Sequence, residues 1–132
     1  YWRGGFGAIR EYEILINDAH TYCSFGRSIE KPWGLKGGKE GTNNYMEIIR
    51  SGILKRVSRI SHQELSKGDK LRVVTGGGGG FGSPLERPIS LVHEDFLNGY
   101  ISNEVAKSDF GVVIDENGKV DDIETTRLRE GQ

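Results

Sequence analysis

The 132-residue sequence is long enough for one domain of ordinary size and too short for two. Its 18 Lys and Arg against 19 Asp and Glu leave a formal charge of -1, which speaks against a general nucleic-acid binder, a class that carries a basic excess. No apolar run approaches the ~20 residues that span a bilayer, no signal peptide is visible, and the single Cys23 supports neither an internal disulfide nor a Cys-based zinc site. The expectation is a soluble, cytoplasmic chain with no membrane and no nucleic-acid partner. Glycine makes up 20 of the residues, roughly twice the usual share of about 7%. The sequence opens Tyr1-Trp2-Arg3-Gly4-Gly5-Phe6-Gly7, and its one methionine is Met46, so it reads as part of a longer protein.

Ala8 to Ile16 alternates as a strand does, with Ala8, Arg10, Tyr12, Ile14 and Ile16 on one face and Ile9, Glu11, Glu13 and Leu15 on the other. Asn17-Asp18-Ala19 supplies turn chemistry, so residues 20–25 are expected to return as its hairpin partner. Residues 31–44 hold Pro32, Gly34, Gly37, Gly38 and Gly41, have no periodicity and read as a loop. Tyr45 to Ile49 and Ile53 to Ile60 are predicted strands joined at Ser51-Gly52, and a Gly68-Asp69 turn precedes a further strand over Leu71 to Thr75. No segment before residue 88 is long enough for a crossover helix, so the pairing is expected to be antiparallel.

Beyond Pro88 the pattern turns helical. Ser90 is the expected cap of a first helix carrying Leu91, Val92, Phe96 and Leu97, with Gly99 at its exit. Ser102 is the expected cap of a second short helix through Val105, Ala106 and Lys107, ending near Gly111. Val112 to Ile114 is apolar, Asp115-Glu116-Asn117-Gly118 is a turn, and residues 115–132 read as a polar, frayed tail. The predicted fold is α+β: a mainly antiparallel β body over residues 1–114 with a Gly-rich loop and one or two short C-terminal helices.

That loop, residues 75–84, reads TGGGGGFGSP. Gly77, Gly79 and Gly82 satisfy the dinucleotide-binding pattern G-x-G-x-x-G after a strand, but Pro84 and Pro88 occupy the stretch where the pyrophosphate-binding helix should open. No Lys follows Gly82, as a P-loop requires. The run is therefore read either as a close backbone crossing or subunit contact, or as the lining of a channel where no side chain fits. His20, His62 and His93 show no metal-binding spacing. His20 and Cys23 fall on opposite faces of a strand, so Cys23 is read as a small buried side chain and His93-Glu94-Asp95 as a solvated first helical turn. Glu11 and Glu13 share a face, where exposed alternation outweighs a carboxylate pair. Seven basic residues between Arg50 and Arg72 face only Glu64 and Asp69, and read as a solvated sheet surface or an anionic docking face.

Several of these segments resemble the hydantoinase B/oxoprolinase family. Trp2-Arg3-Gly4-Gly5-Phe6-Gly7 leading into Arg10-Glu11-Tyr12 is similar to its R-G-G-x-G-x-x-R-E-Y segment. Residues 33–41 resemble its next glycine-rich loop, and GGGGGFGSPLERP, ending at Pro88, is similar to its T-x-G-G-G-G-[aromatic]-G-D-P-L-x-R run. The likeness extends through Glu94-Asp95 and Gly99 to Phe110-Gly111-Val112-Val113. Where the family has Asp, this sequence has Ser83: Ser substitutes if that Asp caps a turn, and does not if it brings charge to a metal or partner. The resemblance implies the C-terminal part of a B-type subunit that works with an A-type subunit or domain to open 5-oxoproline or N-methylhydantoin rings, and related assemblies carboxylate acetone or acetophenone; the alternative outside the resemblance is a non-catalytic assembly module that scaffolds a larger complex through its glycine loop and basic strand. It implies ATP and Mg on the A-type partner, phosphorylation of the lactam oxygen as the activating step, and a further partner in the N-terminal part of its own chain. It places the metal ligands outside this segment, assigns no catalytic residue or cofactor within it, and implies that the segment alone is inactive. Arg3, Gly4, Gly5, Gly76, Gly77, Gly78, Gly79, Gly80 and Gly82 are the candidate substrate or subunit contacts, Arg3 as an anion or carbonyl partner and the glycines as backbone donors or spacers.

Overall fold

Alternating β-branched, aromatic and charged residues place Ala8–Glu13 (β1) against Lys70–Thr75 (β6) in an antiparallel ladder from Ala8 opposite Thr75 to Glu13 opposite Lys70. This computed structural model describes residues 2–131. The chain forms two compact units: a sheet unit of Gly4–Trp33 and Glu40–Gly79, and a helical unit of Tyr1–Arg3, Gly34–Lys39 and Gly80–Gln132, of which Tyr1 and Gln132 lie outside the described residues.

In the sheet unit β6 pairs on its other side with Tyr45–Arg50 (β3), and β3 pairs with Ile53–Val57 (β4), giving a four-stranded antiparallel sheet in the order β1-β6-β3-β4. Ser51 and Gly52 close the β3–β4 hairpin with φ of 50° and 80°, the pair of positive values that a type I′ turn demands and that matches the twist of the strands. Ala19–Ser24 (β2) and Arg59–Leu65 (β5) form a second, two-stranded sheet. Met46, Ile48 and Leu71 from the first sheet and Leu65 from the second make one buried cluster, joined by Ala19, Cys23, Val57, Ile60 and Val73. Each contributes the burial of an apolar side chain, about 1.5–3 kcal/mol for the larger ones.

The helical unit carries a 3-10 turn over Pro84–Glu86, then Ile89–Leu97 (α1), Asn103–Phe110 (α2) and Asp122–Glu130 (α3). Its core is Val92, Ala106, Val112 and Ile114, with Ile89, Phe96, Ile101, Phe110 and Val120 packed around them. Ser102 caps α2 by accepting from the Val105 N–H at 3.3 Å, and Gly111 ends it in the left-handed region at φ 61°. Asp115 accepts from the backbone N–H groups of Asn117 and Lys119, both at 2.8 Å, which forms the expected turn.

The structure differs from the sequence reading at four places. Residues 19–24 do not return onto β1; they pair with β5, because β6 supplies β1 with a full-length partner. The stretch from Ile53 to Ile60 is two strands that part at Ser58 and enter different sheets. A bulge then sets Ser61 and His62 on β5 against Tyr22 alone on β2, turning both outward while Ile60 and Leu65 stay inward. Ser90 is not a cap: Pro88 holds the cap position and α1 starts at Ile89, two residues earlier than a Ser90 cap implies, and the missing N–H of Pro88 costs nothing there. Finally, the stretch read as a polar tail carries α3, capped by the Asp121 carboxylate on the Glu124 N–H at 3.0 Å and anchored by the buried Thr125, whose Oγ1 accepts from the Val113 N–H at 3.0 Å.

One ion pair ties the turn before β6 to the end of β3. Arg50 donates from Nε to Asp69 Oδ1 at 3.1 Å and from Nη2 to Oδ2 at 2.6 Å, and the Ser66 N–H donates to the same carboxylate at 2.9 Å. The guanidinium, and after it the Ser66 amide, hold the Asp69 carboxyl below its ordinary value. Arg72 and then Lys70 do the same to Glu11. A carboxylate whose pKa is lower in the folded chain adds stability above its unfolded value and loses it as the pH falls toward the folded one. Stability in urea should therefore fall as the pH drops below about 4, the ordinary range of these carboxylates. Asp69→Asn should be less stable at pH 7 and show a shallower acid decline; an unchanged acid decline in that variant would contradict the assignment.

Candidate functional site

The glycine-rich segments converge on one another through bare backbone. Within the sheet unit residues 4–7 run beside 75–79, and residues 41–42 run beside 76–78. A Cβ at Gly4 would fall on the Gly78 carbonyl, one at Gly41 on the Gly77 carbonyl, and one at Gly76 on the Thr42 carbonyl. Only glycine allows approach this close. Gly5, next to Gly4 in the same motif, has open space where a Cβ would stand.

The amides of the run are engaged within each unit. In the sheet unit Gly76 N–H donates to Asn44 Oδ1 at 2.7 Å, Gly77 N–H to Thr42 Oγ1 at 2.9 Å and Gly78 N–H to the Gly5 carbonyl at 2.9 Å. In the helical unit Gly80 N–H donates to the Lys39 carbonyl and Gly82 N–H to the Leu35 carbonyl, both at 2.9 Å, while Trp2 and Phe81 exchange a pair of backbone bonds at 2.8 Å. A phosphate cradle works by pointing such N–H groups at the ligand. These five already point at protein oxygens, so the run does not fit a triphosphate. Of the two sequence readings, the close backbone crossing is the one the geometry has.

Arg3 lies in the helical unit with its guanidinium 5.1 Å from the Tyr100 ring centroid and its Nη1 3.4 Å from Asp95 Oδ1. The other oxygen of Asp95 accepts from Arg87 Nη2 at 2.9 Å, and both members of that pair are buried. Arg129 in turn donates to the carbonyls of Arg87 and Phe110 at 2.9 and 3.1 Å. One carboxylate thus orients two guanidiniums. Asp95, read from sequence as solvated, faces inward with Val92 on the buried side of α1, and His93 Nε2 lies 2.7 Å from the Gly118 carbonyl. The usable signal was the i, i+3 spacing of Val92 and Asp95 once the helix begins at Ile89.

The basic stretch of the sheet unit is neither a bare docking face nor simply solvated. Glu11, Arg72, Glu47 and Arg56 stand directly opposite one another across β1, β6, β3 and β4, forming a row of alternating charge across all four strands. Arg72 bonds Glu11 at 2.9 Å and Glu47 at 3.3 Å, and Arg56 bonds Glu47 at 3.0 Å. Periodicity within each strand showed the alternation, but the register that joins the row is long-range. Glu11 belongs to this row and not to a pair with Glu13. Cys23 is half-buried, and burial pushes its thiol up, which makes it a poor nucleophile. His20 stacks on His62 at 4.4 Å, on the opposite face from Cys23. Among the described residues no three His, Cys, Asp or Glu side chains are grouped to hold a metal ion, and no helix is long and apolar enough to cross a membrane.

The model of the hydantoinase B/oxoprolinase family matches residues 1–84. A Pseudomonas sp. protein provisionally named as the B-type subunit of a D-/L-hydantoinase is 31% identical in an alignment of 131 positions, gaps included, that covers 97% of this chain and 22% of that protein. The beta subunit of caprolactamase from Pseudomonas jessenii is 31% identical in an alignment of 139 positions, gaps included, that covers 94% of this chain and 22% of its own length. The crystal structure of the ATP-dependent caprolactamase from Pseudomonas jessenii matches with a TM-score of 0.80 over 94% of this chain and 22% of that one. The nucleotide-free structure of acetone carboxylase shares the fold, with a TM-score of 0.63 at 22% identity over 75% of this chain and 18% of its own. The chain thus spans less than a quarter of the length of these relatives.

The crossing separates two neighbouring glycines. Gly4→Ala should destabilise the protein by about 1–3 kcal/mol or more, because a backbone must move to admit the methyl group. Gly5→Ala should lie within about 0.5 kcal/mol of the parent. Urea unfolding of the two variants checks this, and equal losses would refute the crossing.

Proposed function

The chain belongs to the hydantoinase B/oxoprolinase family, and from that membership we propose that it forms part of the B-type component of an ATP-dependent enzyme that opens cyclic amides. The observation that carries this reading is the match to the ATP-dependent caprolactamase over 94% of the chain, at 31% identity and a TM-score of 0.80. The family description points to 5-oxoproline and hydantoins as the ring class and the caprolactamase to a larger lactam, all of which share a resonance-stabilised amide that water attacks slowly. ATP with Mg supplies the phosphoryl group that activates the ring oxygen, and we place both on an A-type partner, since the amides of the glycine run here are committed to protein acceptors.

This chain's own share is positional. The glycine crossing fixes the backbone around Gly4, Gly41 and Gly77, and Asp95 fixes the Arg3 guanidinium. Arg3, Gly5 and the glycines from Gly76 to Gly82 are the proposed places of contact with the rest of the assembly, and the nucleophile lies outside residues 2–131. The cytoplasm is the compartment we propose for it, as a supply of ATP is needed.

The test is turnover by the protein that carries this chain, purified together with its A-type partner and supplied with 5-oxoproline, N-methylhydantoin or caprolactam. The expected result is ring-dependent release of ADP and an opened product, without added bicarbonate. Failure of all three rings to stimulate ATP hydrolysis, or an absolute need for bicarbonate with a ketone as substrate, would overturn the reading, the second result in favour of carboxylation.

A further inference from the structure

A cavity of about 520 Å³ opens in the sheet unit beside the end of β4. Ser28 and Lys31 line it from the segment after β2, Thr42 and Tyr45 from the approach to β3, and Arg56 and Ser58 from the end of β4. Its size is that of a small-molecule site. We propose that this cavity binds a small oxyanion, a phosphate or a carboxylate group, with Arg56 and Lys31 as its cations and hydroxyl groups as its remaining donors. Neither the family nor the ring-opening reaction is needed for this inference.

Three observations carry it. First, the lining holds two cations and no carboxylate; the acids that steady these cations, Glu40 for Lys31 and Glu47 for Arg56, stand outside it. Second, Arg56 is held in place for recognition. Its guanidinium lies 3.8 Å from the Tyr45 ring centroid and its Nη2 donates to Glu47 at 3.0 Å, while Nε and Nη1 have no protein acceptor among the described residues. A planar guanidinium fixed in this way suits an oxyanion. Third, the hydroxyls of Ser28, Tyr45 and Ser58 make no hydrogen bond to protein among the described residues. Thr42 Oγ1 accepts from Gly77 and keeps its own proton to donate. Asn43 Nδ2 secures the segment that carries Ser28, donating to the Arg27 and Ile29 carbonyls at 3.3 and 3.1 Å.

The experiment is calorimetric titration of the intact protein with inorganic phosphate and, separately, with glutarate, at constant ionic strength. At least one of the two should bind saturably; phosphate alone would identify a phosphate site and glutarate alone a carboxylate site. Arg56→Gln should weaken that binding about tenfold. Because Arg56 also steadies the buried Glu47, Ser58→Ala serves as the second variant: it loses no protein bond and should weaken binding by about threefold. Arg59→Gln, outside the lining, should leave affinity unchanged. Absence of saturation by either ion below about 10 mM, or affinity unaltered in both Arg56→Gln and Ser58→Ala, would overturn the proposal.

Discussion

A carbonyl oxygen and a Cβ cannot occupy the same space, and the sheet unit is arranged around places where the oxygen has won. At Gly7 a Cβ would meet the Thr75 carbonyl, and one residue later Ala8 and Thr75 open the β1–β6 ladder. At Gly76 it would meet the Thr42 carbonyl, and Tyr45 opposite Val74 then opens the β6–β3 ladder. The crossing therefore sets the register of both ladders that β6 makes. A slip of one residue would turn every side chain to the other face, burying the charge row and exposing Met46, Ile48 and Leu71. Close approach of bare backbone is thus the condition on which core, register and charge row all depend.

The crossing also decides what the most conspicuous motif of the sequence is for. Glycine-rich turns bind phosphate when their amides are left pointing outward, and here the run spends them on Asn44, Thr42, Gly5, Lys39 and Leu35. The chain stiffens itself where a nucleotide-binding loop would reserve donors for a ligand. Asp95 plays a similar part in the helical unit, committing a buried carboxylate to two guanidiniums. Both devices hold backbone and side chains in fixed positions within their own unit.

What could be read from the residues was local. Alternation located β1, β3 and β6, the Ser51-Gly52 pair located a hairpin turn, and Ser102 with Gly111 bounded α2, because each signal lies within a few neighbouring residues. What could not be read was long-range. Nothing near Ala19 announces that β2 pairs with β5 some forty residues away, and the bulge at Ser61-His62 hides the inward set of β5 behind a broken period. The third helix was missed because its buried face is a single threonine, Thr125, among charged residues. The glycine run was recognised as distinctive, yet a crossing and a channel wall ask for the same residue, and only the position of the opposing carbonyls separates them. Arg3 was a candidate from its motif, whereas its partner Asp95 lies ninety-two residues away, beyond any pattern of spacing.

The most direct test of this account is amide hydrogen exchange at Gly76, Gly77, Gly78, Gly80 and Gly82, in the intact protein with and without ATP and Mg. Amides bonded within a close-packed backbone crossing should exchange orders of magnitude more slowly than in an unfolded chain, and nucleotide should leave them unchanged. Exchange at unfolded-chain rates, or protection that appears only when nucleotide is added, would show that these donors are kept for a ligand and would contradict the account.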